Sequence, residues 1–118
     1  MFQLMQHLVA FKYACKLNHW RTDDYAQHLL FDRLQEDLDD LVDNVAERVF
    51  MAHGRKEELT AAILAPDAVN PDLRAAADEI DRQIDRIFAS GKLTEGDQSL
   101  LSGVEEAFQG KLALINMK

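Results

Sequence analysis

The sequence predicts an all-α protein built as a four-helix bundle, and three observations lead to this prediction. Four long segments repeat apolar residues at the three- and four-residue spacing of an amphipathic helix. The chain of 118 residues has only 2 prolines and 5 glycines, fewer turn-forming residues than an all-β sandwich needs. No segment alternates apolar and polar residues as a half-buried strand does. Residues 1–118 are therefore expected to form a single domain.

The first two predicted helices occupy the N-terminal part of the chain. The first runs from about Phe2 to Trp20. The second begins after Thr22 or Asp23, both of which are good N-cap residues, and runs to about Ala52, with Gly54 ending it. The apolar stripe of the first helix is Leu4, Leu8, Phe11 and Cys15, and that of the second is Leu34, Leu38, Leu41, Val42, Val45 and Val49.

A long connection precedes the third predicted helix. It contains a short apolar patch, Leu59 to Leu64, and then Pro66. The third helix starts at Asn70-Pro71, where an N-cap residue is followed by proline at the first helical position, and Gly91 ends it. Its apolar stripe is Leu73, Ala77, Ile80, Ile84 and Ile87.

The fourth predicted helix opens with Thr94 and Asp97, the spacing of a capping box. Its apolar stripe is Leu101, Val104, Phe108, Leu112 and Ile115. Short linkers make helices one and two, and helices three and four, antiparallel hairpins. The connection between the second and third helices has about fifteen residues and its own helical turn, which suits a single crossover. The expected fold is a ferritin-like four-helix bundle whose long crossover carries a short helix between helices two and three, although a plain up-down bundle stays open.

Net charge and composition limit the classes of molecule that the protein is expected to bind. The formal net charge is −8 and the isoelectric point is near 4.8, which oppose binding to nucleic acid or to an anionic membrane surface and favour cations. A single cysteine excludes a disulfide framework and a cysteine-rich zinc module. The N-terminal residues lack the basic region followed by an apolar run that marks a signal peptide. No apolar stretch is as long as a membrane span requires. The expected location is the cytoplasm.

Four potential metal ligands share one side of the second predicted helix. With His28 at zero and 100 degrees per residue, Asp32 lies at about 40, Asp43 at about 60 and Glu47 at about 100 degrees. The apolar stripe lies between about 220 and 320 degrees, so the ligands are distinct from it. His28 with Asp32, and Asp43 with Glu47, are pairs four residues apart that project together. Imidazole with carboxylates suits iron, manganese or zinc.

The two pairs cannot hold one metal ion within a single chain. Asp32 and Asp43 are separated by roughly 16 Å along a helix. A second copy of this helix, antiparallel across a two-fold axis near Asp37 and Leu38, would bring His28 and Asp32 of one chain to Asp43 and Glu47 of the other. The sequence therefore predicts a metal site shared between two copies.

At these residues the chain resembles a known family. His19-Trp20, then His28-x3-Asp32, then Asp43-Asn44-Val45-Ala46-Glu47-Arg48 are similar to the motifs of mini-ferritins of the DNA-protection-during-starvation type. The resemblance covers about Leu8 to Arg48 most strongly. It implies a ferroxidase centre made of His19, His28 and Asp32 from one subunit and Asp43 and Glu47 from its two-fold partner.

The resemblance also implies a function. Two Fe(II) ions, bridged by Glu47, would be oxidised to Fe(III) by peroxide or dioxygen, with iron storage and oxidative protection as the result. Iron is the expected metal, and zinc or manganese could substitute for it. The protein would assemble with itself, as a two-fold dimer with shared metal sites or as a dodecameric cage.

An alternative reading of the same residues is not enzymatic. The segment between His19 and His28 is shorter than in typical members of that family and lacks their usual Gly and Phe. This departure favours a catalytically inactive ferritin-like helical dimer that acts as a structural or interaction module. A DNA-coating role is disfavoured by the negative net charge.

Overall fold

The protein is all-helical in a computed structural model that describes residues 2–50, 59–63 and 66–117. Within these ranges there are helices and turns and no strand, which confirms the all-α prediction. The α-helices are α1 (Phe2–Arg21), α2 (Tyr25–Gln35), α3 (Leu38–Val45), α4 (Leu59–Ile63), α5 (Leu73–Ala89) and α6 (Glu95–Asn116). A π-helical segment, Ala46–Phe50, continues α3, and a 3-10 turn, Pro66–Ala68, precedes α5.

The long helices surround one core. Helix α1 packs against α2 and α5, α5 packs against α6, and α6 packs against α2 and α3, which closes a ring of neighbouring helices. Phe11 of α1 meets Phe108 of α6 edge-to-face, with ring centroids 4.9 Å apart. The predicted stripes face this core. Their members are buried except for Leu41, Val42, Ile87 and Leu112, which are half-buried at its margin.

Helix α2 starts later than the sequence suggested. Asp24, not Thr22 or Asp23, is its N-cap, and the Asp24 carboxylate accepts a hydrogen bond from the backbone N–H of Ala26 at 3.0 Å. The Thr22 hydroxyl instead accepts from the Asp24 backbone N–H at 3.2 Å and so stabilises the turn before the helix.

Helix α5 also starts later than predicted. Asp72 is its N-cap and accepts from the Ala75 N–H at 3.2 Å, so Pro71 lies before the helix and not at its first position. The Asn70 side chain accepts from the Asp72 N–H at 3.0 Å, a local turn that competes with helix initiation at Asn70.

The end of α5 and the start of α6 are where the sequence predicted them. Gly91 has a φ of 68° and follows the last residues of α5. Thr94 and Asp97 form a capping box in which each side chain accepts from the other residue's backbone N–H.

The prediction of one continuous second helix was wrong. The chain breaks at Glu36 and Asp37, between α2 and α3, and changes again to π-helical geometry from Ala46 to Phe50. A lysine from α6 contacts both sides of the break: the Lys111 ammonium donates to the Leu34 carbonyl at 2.7 Å and to the Asp37 carboxylate at 2.5 Å. A side chain that bonds to a helical carbonyl competes with the backbone N–H that would otherwise bond to it. The predicted end of this helix, at Ala52 and Gly54, lies outside the described residues.

The crossover carries the short helix that the sequence predicted. Helix α4 and the following 3-10 turn, the two described parts of this connection, both contact α1. Among the helices described, none has the length and apolar character that a membrane span requires.

Candidate metal centre

His19 and His28 meet where α1 ends and α2 begins. The three-residue connection, residues 22–24, lets the last turn of α1 lie beside the first turn of α2. The two imidazole rings stack with centroids 3.6 Å apart and planes 24° apart. His19 Nδ1 lies 3.1 Å from the His28 carbonyl oxygen, and His28 Nδ1 lies 3.1 Å from the His19 carbonyl oxygen. The structure therefore brings these two predicted ligands together in one chain.

The hydrogen bonds of this pair determine where its protons are. A carbonyl oxygen can only accept, so Nδ1 donates in both contacts, and the neutral form of each ring keeps its lone pair on Nε2. The His19 carbonyl belongs to the last turn of α1, where helical carbonyls lack an N–H from a following turn, and His28 supplies that donor. Metal-binding histidines usually donate their other ring N–H to a carbonyl or carboxylate in this way.

Asp32 follows His28 by one helical turn on α2. Its side chain is exposed, and the Gln35 amide donates to its Oδ1 at 3.4 Å. The carboxylate is thus partly oriented by its own helix and otherwise open to solvent. An exposed carboxylate beside a histidine pair is available to a cation without first losing a buried partner.

Asp43 and Glu47 lie beyond the helix break. Asp43 is on α3, Glu47 is in the π-helical segment, and both are exposed. In the described part of the chain, no group of three or more His, Cys, Asp or Glu side chains is arranged to hold a metal ion. The structure of one chain thus brings together His19 and His28, with Asp32 one helical turn from His28. The supply of Asp43 and Glu47 by a second copy stays a prediction.

Large apolar side chains surround the histidine pair on the outside of the molecule. Trp20 is 68 % exposed, Tyr25 is 73 % exposed and Leu29 is 49 % exposed. Tyr25 and Leu29 are one turn apart on α2 and share its exposed side with Asp32. A shallow pocket of about 270 Å³ opens beside His28 and is lined by Thr22, Asp23, Asp24 and Tyr25.

Lys111 is a residue that reasoning from the sequence missed. It is 6 % exposed on α6, and its ammonium lies 5.8 Å from the centroid of the Phe108 ring, besides its bonds to α2 and to Asp37. Its position three residues after Phe108 and four before Ile115 was a usable signal, because that spacing puts it in the apolar stripe.

A group of acids between α5 and α6 includes two carboxyl groups whose pKa values are raised. Burial and the nearby carboxylates of Glu105, Asp85 and Asp78 raise the pKa of Asp81 to about 6. Burial and contact with Asp85 also raise the pKa of Glu105. The Asp81 Oδ1 atom is buried and has no hydrogen-bond partner within the described ranges. These acids lie on different helices from the predicted ligands.

The core also holds the chain's one cysteine. Cys15 is fully buried and unpaired, and burial raises the pKa of its thiol to about 12. Since the thiolate is the form that binds metals and reacts, Cys15 acts as a small apolar core residue.

Comparison with known proteins gives a family and no function. No curated protein and no solved structure matches the chain. A family model described as a family of unknown function, DUF5856, matches residues 19–111, a range that includes all five predicted ligands and Lys111. Because this range covers more than half of the sequence, the chain belongs to the DUF5856 family of unknown function.

Proposed function

We propose that this protein binds Fe(II) and oxidises it at a site shared by two copies of the chain. The observation that carries the proposal is the histidine pair. His19 and His28 lie side by side, each donates its Nδ1–H to a carbonyl, and each neutral ring keeps an Nε2 lone pair. Because the rings are stacked and each lone pair lies in its own ring plane, the pair would bind two neighbouring ions, one at each ring. Sequence resemblance to the mini-ferritins supplies the choice of iron.

The carboxylates have complementary roles in this proposal. Asp32 would bind iron together with the histidines of its own chain. Asp43 and Glu47 of the second copy would complete the site, with Glu47 bridging two ions. Anionic ligands stabilise Fe(III) more than Fe(II), so they favour loss of one electron from each ion. Two Fe(II) ions held together would supply the two electrons that, with two protons from solvent, reduce one hydrogen peroxide molecule to two water molecules.

The second copy is proposed from the exposed surface of α2 and α3. Asp32, Asp43 and Glu47 are all exposed, and Trp20 and Leu29 add exposed apolar area near the His28 end of this surface. A two-fold axis would make the contact reciprocal, so each dimer would contain two equivalent sites. Larger assembly into a cage would need further contacts on other faces.

We also propose that the bundle is of the ferritin-like kind. Support comes from the ring of neighbouring helices and from the short helix α4 in the crossover, which packs on α1. The cytoplasm is the proposed compartment, because an unpaired buried cysteine suits reducing conditions.

The test is the rate of Fe(II) oxidation, followed by absorbance after an anaerobic solution of protein and Fe(II) is mixed with peroxide or with dioxygen. The double variant Asp43→Ala, Glu47→Ala should lose the acceleration and stay folded, because both side chains are exposed. The charge-matched control Asp67→Ala, Glu106→Ala removes two exposed acids elsewhere and should keep it. Full activity in the first variant would show that the assignment of these ligands is wrong.

A second candidate function is an inactive helical dimer that serves as an interaction module. The exposed Trp20, Tyr25 and Leu29 favour it, because they offer a docking surface whether or not metal binds. If the wild-type protein is a dimer that oxidises iron no faster than buffer, this candidate replaces the first.

A further inference from the structure

The break between α2 and α3 has no local cause in the sequence. Glu36 and Asp37 stand at the break, and neither is a proline or a glycine. Interruptions of a helix also arise where a side chain inserts into the ladder of backbone hydrogen bonds. In an unbroken helix the Leu34 carbonyl would accept a hydrogen bond from the Leu38 N–H, and this bond would span the break.

Lys111 of α6 occupies this gap. Its ammonium donates to the Leu34 carbonyl at 2.7 Å, on the α2 side, and to the Asp37 carboxylate at 2.5 Å, at the N-cap of α3. The lysine side chain is 7 % exposed, and Phe108 and Cys15 lie close to it. A buried ammonium needs polar partners. The two partners of Lys111 are the Leu34 carbonyl in the last turn of α2 and the carboxylate of Asp37, the residue just before α3.

We propose that Lys111 is a positioning residue that fixes the angle between α2 and α3, and thereby the relative placement of the His28–Asp32 and Asp43–Glu47 pairs. The consequence for iron rests on the proposed function, whereas the angle itself does not. In a two-fold dimer the His28–Asp32 pair of each copy meets the Asp43–Glu47 pair of the other, so the angle affects both metal sites. A change of about 10° at the break would move Glu47 by about 2 Å, a large error for a metal ligand.

Lys111→Met is the informative variant because it keeps side-chain length and removes both hydrogen bonds. Asp37 is 51 % exposed and can be solvated when its partner is lost, and the Leu34 carbonyl can regain the Leu38 N–H. The variant should therefore fold with a straighter, continuous helix. The control is Lys12→Met, which removes an exposed ion pair between α1 and Asp39 of α3 and should leave the angle unchanged.

The angle can be measured with paired spin labels and no metal present. Labels on Ala26→Cys and Asn44→Cys, both exposed positions, span the break on α2 and α3. Cys15 stays unlabelled because its thiol is buried and resists deprotonation. Diluting the labelled chain with unlabelled chain isolates the distance within one molecule. We expect one distance in the wild type and in Lys12→Met, and a longer one in Lys111→Met.

An unchanged distance in Lys111→Met would overturn the proposal. If that variant does not fold, Asp37→Ala decides instead: a longer or broader distance supports the proposal and an unchanged one overturns it. In the iron assay, Lys111→Met should raise the KM for Fe(II) several-fold more than it lowers kcat, because the ligands are displaced and not removed. If the wild type does not oxidise iron while the distance still shifts, the proposed function fails and the positioning role stands.

Discussion

At the scale of single residues, the histidine pair is the most informative feature of the molecule. His19 and His28 are nine positions apart, and only a tight connection between two helices lets their rings stack. The reciprocal hydrogen bonds hold both rings in one orientation before any ligand arrives. Ligands held in advance lose less conformational entropy when they bind.

Replacing one member of the pair should weaken metal binding. We expect His28→Ala to lower the affinity for Fe(II), or for Co(II) as a probe, by about tenfold or more. Titration under anaerobic conditions, followed by Co(II) absorbance or by calorimetry, measures this. His7→Ala is the matched control, because His7 lies on α1 outside the predicted site. Equal affinity in wild type and His28→Ala would remove His28 from the site.

Asp81 should make the folded protein less stable as the pH rises. Its pKa is about 6 in the folded state, against an ordinary value of 3.8, so the folded state binds more protons between these pH values. Stability from this group is therefore complete below about pH 4 and lost as the pH passes 6.

The variant Asp81→Asn should remove that dependence. We expect it to raise the free energy of unfolding at pH 7 by about 1–2 kcal/mol, with little gain at pH 4, because the uncharged side chain avoids the burial of a charge and the repulsion by Glu105 and Asp85. Urea unfolding at both pH values measures this. Asp67→Asn, an exposed acid in the crossover, is the control and should change neither value. A loss of stability at pH 7 would contradict the prediction.

At the scale of helices, the local signals at the α5–α6 turn were predicted correctly, whereas the starts of α2 and α5 were predicted too early and the distant contact of Lys111 was missed. The capping box at Thr94 and Asp97 could be predicted because both partners lie within four residues of sequence. The break at Asp37 could not, because its partner Lys111 is 74 positions away. The same limit applies to the site. The spacing of His28 and Asp32 could be predicted because they lie one turn apart on one helix. The prediction of one continuous helix through Glu47 missed the contact of Lys111 with Leu34 and Asp37, which forms only after folding.

The capping box should contribute measurably to the stability of α6. Thr94→Ala removes the hydroxyl that accepts from the Asp97 N–H at 3.1 Å, and we expect a loss of about 1 kcal/mol in the free energy of unfolding. Ser99→Ala changes a similar hydroxyl at an exposed position inside the same helix and should cost less than half as much. Chemical unfolding of the two variants decides between them, and equal losses would contradict a specific role for the cap.

At the scale of the whole molecule, the proposed metal site depends on association of two copies through α2. The molecule offers two similarly exposed aliphatic side chains for a comparison: Leu29 on α2 is 49 % exposed and Ile63 on α4 is 54 % exposed. Leu29→Glu should shift the protein from dimer to monomer, whereas Ile63→Glu should not, because only the first places a charge in the proposed interface. Light scattering after size exclusion measures the mass. A dimer that persists in Leu29→Glu places the interface elsewhere.

The most direct test of the central claim is anomalous diffraction at the iron edge from crystals soaked anaerobically in Fe(II). We predict iron at a two-fold interface, beside His19, His28 and Asp32 of one copy and Asp43 and Glu47 of the other. Crystals in which α2 never meets a second copy, or in which iron binds only elsewhere, for example at the acids between α5 and α6, would contradict it.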